Sequence, residues 1–166
     1  MAENNHNWLG EGSTVGVIGA VTVAGWFLVL DLIAGQPFHT PSVLGQVVLF
    51  GRQTPSVAPL PEAIALYSFV HFAAFIGFGV LVTQMVHLAV REPVFRFLLF
   101  ITFVIFEVFF YGFTYIFFAG TRGIFPWWSM LAANTLAAIA MGIYVYLRHP
   151  AIRSAPGHEP LGAETT

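Results

Sequence analysis

The sequence predicts an all-α integral membrane protein: an antiparallel bundle of four transmembrane helices, with one short interfacial or re-entrant helix between the first and second. Two observations carry this reading. Of 166 residues, 57% are hydrophobic and 8% charged, too little charge to clothe the surface of a soluble domain. The apolar residues also gather into long, nearly uncharged runs of about 20 residues or more, the length that spans a hydrocarbon core. A chain of this size reads as a single domain over 1–166.

The opening stretch MAENNHNWLGEGST is polar and has no positive n-region, so residues 1–13 read as a tail and the first helix as its own insertion signal. Helix 1 is expected over 14–34. Gly16, Ala20 and Ala24 recur every fourth position and offer a neighbour a close approach, with Asp31 farther along the same stripe. The connection 35–62 is too apolar for a plain loop. Thr40 followed by Pro41 suits an N-cap and first helical position, and Gly51 suits a stop, so 41–50 reads as a short interfacial helix. Helix 2 is expected over 61–90. The brief REP turn makes it an antiparallel neighbour of helix 3, over 93–118. Helix 4 is expected over 126–148, with Trp127 and Trp128 placed for an interfacial aromatic belt and Ala133, Ala137, Ala138 and Gly142 as a packing surface. The polar, proline-bearing tail 149–166 reads as disordered.

Four crossings put both termini on one side. Arg91, Arg96, Arg148 and Arg153 then lie with the termini, and Arg52 and Arg122 lie opposite. The positive-inside rule thus places both termini in the cytoplasm, in a membrane of the bacterial inner type.

One stretch departs from the apolar pattern. In FVIFEVFFYGF, Glu107 stands near the middle of a membrane-length run, where an ionisable group is costly and marks function by default. Tyr111 and Thr114 extend its stripe at i+4 and i+7. Counted inward from the predicted turns at 1.5 Å per residue, His71, Tyr111, Asn134 and Glu107 fall within roughly 6 Å in depth. Asp31 lies nearer the outer surface. These six residues form the expected polar pocket, opening to the extracytoplasmic side under the 41–50 segment, with His39, Arg52 and Arg122 at its mouth. His87 falls on another face of helix 2, toward the cytoplasm. It reads with Gln84 as interfacial.

The residue inventory narrows the chemistry. Without cysteine there is no disulfide or thiolate site, and without lysine no Schiff base or P-loop lysine. No basic tract points to nucleic acid. Asp31, His71 and Glu107 are candidate metal ligands, but no HExxH or ExxH spacing accompanies them. His71 has no intramembrane histidine partner on another helix for bis-histidine haem ligation. Ser68, His71 and Asp31 lack the GxSxG elbow of a hydrolase. Polar groups do not continue through the inner half, as a conduction path would need. The Phe97, Phe100, Phe103, Phe106 and Phe109 repeat reads as lipid-facing or packing surface.

The expected function is that of a non-catalytic accessory or self-associating membrane subunit, with a polar network around Glu107 and no cofactor. Its partners are the bilayer and a second copy or larger membrane complex. The alternative is a binding, metal or proton-handling site built from the same residues.

Overall fold

The computed structural model describes residues 8–51, 55–56, 58–91, 94–117 and 126–149. They form five helices, α1 (Trp8–Ile33), α2 (His39–Phe50), α3 (Pro61–Arg91), α4 (Val94–Phe117) and α5 (Trp127–Arg148), and no strand among the described residues. The 1–7 and 150–166 tails lie outside them.

Three helices, α1, α3 and α5, are long and apolar enough to cross a membrane. The expected count of four crossings is therefore reached only in part among the described residues. Large apolar side chains cover the outside of the bundle, among them Phe69, Ile105, Val108, Ile116 and Ile143. Such a surface suits hydrocarbon and would aggregate in water. Trp8 opens α1 and Trp127 and Trp128 open the antiparallel α5, so exposed indoles stand at both ends of the bundle, as interfacial belts do.

α1 runs antiparallel to both α3 and α5. Its buried face is Gly12, Val15, Gly16, Gly19, Ala20 and Val23, the three-and-four spacing of one helical stripe. The expected stripe through Ala24 is corrected: Ala24 is exposed, because the drift of 3.6 residues per turn carries it off the contact. Gly12 and Gly16 meet Gly79 of α3 with no side chain between. A Cβ on Gly12 would stand 2.5 Å from Val80 Cα, and one on Gly79 would overlap Gly16 N and Gly12 O. Without side chains the two backbones pack directly, the device membrane helices use where burial in water cannot drive association.

α5 buries Ser129, Ala133, Ala137, Met141 and Val145, every fourth residue, mainly against α1, with Phe75 and Val86 of α3 reaching the same clusters. Ala138 is only half-buried and Gly142 is exposed, so the packing surface turns one residue from the expected one. Two apolar clusters result. Val23, Ala133 and Ala137 pack at one level with Trp26, Phe27 and Phe75. Val15, Val86, Met141 and Val145 pack nearer the start of α1.

α2 begins at His39, so the expected N-cap Thr40 lies inside the helix. Capping comes instead from Asp31, whose carboxylate accepts from Thr40 N–H at 2.8 Å and Thr40 Oγ1 at 2.7 Å. Gly51 ends α2 in the left-handed conformation at φ 62°. Gln46 and Ser42 are fully buried yet bonded. Ser56 N–H donates to Gln46 Oε1, Gln46 Nε2 donates to Ser56 O, and Leu60 N–H donates to Ser42 Oγ. These bonds hold the return segment against α2, and Gly45 lets α2 lie on Ala63 of α3. Gln46→Ala is expected to speed amide exchange at Ser56 by about tenfold, the loss of one buried hydrogen bond of ordinary strength. Hydrogen–deuterium exchange with mass spectrometry reads this directly.

Candidate functional site

The polar residues singled out by the sequence divide among three places. Glu107 of α4 and Asn134 of α5 meet: Asn134 Nδ2 donates to Glu107 Oε2 at 3.3 Å. The other carboxyl oxygen, Glu107 Oε1, is enclosed and has no hydrogen-bond partner among the described residues. Glu107, Val108 and Tyr111 face Trp127, Met130 and Leu131 across a cleft of about 410 Å³ between the two helices. Its walls are apolar except for the carboxylate and the phenol. Thr114 lies on the same helix, but its side chain falls outside the described residues.

His71 is elsewhere. Its Nε2 lies 3.1 Å from Ala20 O of α1, and its ring packs on Tyr67 and Phe75 at centroid distances of 5.9 and 4.7 Å. A histidine bonded to a backbone carbonyl and sandwiched by aromatics binds α3 to α1. Asp31 is buried and committed to the start of α2. The serine–histidine–aspartate and the Asp31, His71, Glu107 metal readings both required these side chains together. The latter three do not form a cluster of ligand atoms among the described residues.

The expected cover of the pocket also differs. Among the described residues α2 contributes no wall to the Glu107 cleft, because it packs on α3 and on the end of α1. His39 Nδ1 is buried without a hydrogen-bond partner among the described residues, at the start of α2. Arg52 and Arg122 lie outside the described residues.

A second polar group stands at the other end of the bundle. Glu11 of α1, His87 of α3 and His149, which follows α5, bring one ligand atom each within 4.8 Å of one another. Glu11 Oε1 lies 2.6 Å from His149 Nε2, and Glu11 Oε2 lies 3.8 Å from His87 Nε2. The two imidazoles meet edge to face, with ring centroids 5.2 Å apart. Below them Val15, Val86 and Val145 form an apolar floor. Sequence reasoning missed this group. Starting helix 1 at residue 14 left Glu11 in a polar tail, and ending helix 4 at 148 put His149 in another. The usable signal was depth: all three residues lie within about a turn or so of the ends of their helices on the side of the termini.

No family description, no curated protein and no solved structure matches this chain.

Proposed function

We propose that the protein is a small, non-catalytic membrane subunit that crosses the bilayer four times and self-associates through the α4–α5 cleft, with Glu107 as the polar contact. Supporting the fourth crossing, α4 has 24 residues, about 36 Å of helix, and carries only Arg96 and Glu107 as charges. The arginine distribution supports termini in the cytoplasm.

One observation carries the association reading. Glu107 is tied to Asn134 by one oxygen and holds the other enclosed beside an open apolar cleft. In hydrocarbon an unpaired polar oxygen costs free energy, and a turn of the Glu107 side chain that brings Oε1 to the cleft lets a donor on an incoming helix remove that cost. The cleft is apolar enough to receive an aliphatic or aromatic side chain from that helix. Among the described residues α4 packs mainly on α3 and sparsely on α5, which leaves this side of the bundle open to a second copy.

The test is the oligomeric state of full-length protein in mild detergent, by native mass spectrometry. Glu107→Gln keeps the shape and one acceptor oxygen, and with the Asn134 amide turned over to accept from the new NH2 that oxygen still serves an incoming donor, so self-association is expected to persist. Glu107→Leu removes the polar contact and is expected to shift the population to monomer by about tenfold or less, the range of one interhelical hydrogen bond in a membrane. A monomeric wild-type protein, or Glu107→Leu associating as the wild type does, overturns the reading.

A further inference from the structure

We propose that Glu11, His87 and His149 form a binding site for a divalent first-row transition ion, on the face of the bundle where α1 begins and α3 and α5 end. The chemistry of the donor set comes first. Two imidazole nitrogens and one carboxylate suit zinc and iron(II), whereas calcium and magnesium prefer all-oxygen shells. Each ligand comes from a different part of the chain, so the site is a product of the fold rather than of local sequence.

The geometry agrees. With metal–ligand bonds of about 2.0–2.2 Å, neighbouring ligand atoms in a tetrahedral site stand roughly 3.3 Å apart. Glu11 Oε1 to His149 Nε2, at 2.6 Å, and Glu11 Oε2 to His87 Nε2, at 3.8 Å, straddle that value, and one ligand atom of each residue lies within 4.8 Å of the others. A hydrogen bond accounts for the first pair. The second pair, at 3.8 Å, is within ion-pair reach though too long for a hydrogen bond. An ion among the three residues would draw both imidazoles to the carboxylate, and adjustments of an ångström or so at the side chains complete the shell.

The surroundings also suit an ion. The Glu11 and His149 side chains are 9% and 12% exposed and His87 is 32% exposed, so the site is enclosed on one side and reachable from the other. The Val15, Val86 and Val145 floor lies one residue to one turn from each ligand, and lowers the local dielectric that strengthens metal–carboxylate attraction. Three protein ligands leave a tetrahedral position for water or an exogenous donor, as in sites that keep an open place. His149 follows Asn134, the partner of Glu107, by roughly 22 Å of α5, so the two proposals stand or fall separately.

The experiment uses full-length protein in mild detergent, purified through a histidine-free tag and stripped with a chelator. Zinc is titrated with equilibrium dialysis, and cobalt(II) reports coordination by absorbance. One zinc per chain is expected, and an intense tetrahedral d–d band for cobalt. His87→Gln with His149→Gln is expected to weaken zinc binding at least ~100-fold, and Glu11→Gln at least ~10-fold, while Glu107→Leu leaves it unchanged. Zinc is also expected to protect His87 and His149 of the wild-type protein from diethyl pyrocarbonate, read by peptide mass spectrometry. That arm decides the matter if the double variant fails to fold. Substoichiometric zinc, equal affinity in the double variant, or histidine labelling indifferent to zinc overturns the proposal and leaves Glu11 as a hydrogen-bonded structural acid.

Discussion

Gly79→Val is expected to lower stability by roughly 3 kcal/mol, the upper end of what overpacking costs, and to separate α1 from α3. The reason is the identity of the atoms in the way. A Cβ at position 79 would overlap the backbone of Gly16 and Gly12, which cannot rotate aside as a side chain can. Relief requires moving one helix against the other, and α1 also holds α5 through Val15 and Val23. The adjacent control is strict: Gly77 lies two residues away on the same helix with nothing within 4 Å of a Cβ. Gly77→Ala is expected to change stability by less than about 1 kcal/mol, in the stabilising direction, because alanine favours the helix. Thermal unfolding in one detergent, followed by circular dichroism, compares the two. Equal midpoints would mean that α1 and α3 do not pack as described.

Asp31→Ala is expected to have the next largest effect, about 2–3 kcal/mol, since it strands the buried Thr40 N–H and hydroxyl that its carboxylate accepts. Asp31 sits in the last turn of α1, where the helix dipole disfavours an acid, and at the first turn of α2, where it favours one. The two short bonds to Thr40 fix which end prevails. Asp31→Asn keeps one good acceptor for the Thr40 N–H, so its cost is expected to be less than half as large. The readout is the exchange protection of the α2 amides, which should fall in the alanine variant while those of α5 stay as they are. Uniform loss across both helices would mean that Asp31 supports the whole bundle rather than the α2 start.

How much of this was legible beforehand follows from the kind of signal each feature leaves. Helix existence was, because apolar runs and Gly and Pro punctuation are local. The meeting of Glu107 and Asn134 could be anticipated, since depth along two antiparallel helices can be counted from their shared ends. Facing direction could not be counted so well. His71 lies at a similar depth but points to α1, and a side chain's partner across a bundle depends on helix rotation, which a run as apolar as residues 72–82 of α3 leaves unmarked. Asp31 was expected in the polar pocket, whereas its partner is Thr40 nine residues on, made near by the tight turn at Gly35. Glu11 and His149, the partners of His87, were hidden by helix boundaries: α1 starts six residues before the expected position, and those extra turns carry Glu11 into the bundle.

The bare backbone contact at Gly12, Gly16 and Gly79 has one more consequence. Glu11 is next to Gly12, and His87 lies eight residues beyond Gly79, so both ride on the same junction. The spacing of their backbones is set by main chain against main chain at the glycines, with no side chain there to take up slack. That makes the junction a ruler for the end of the bundle where α1 begins. Changes in lipid thickness or in the outward-facing apolar side chains can tilt the helices together, yet the separation of the backbones that carry Glu11 and His87 is inherited from two glycine surfaces that have only one distance of closest approach.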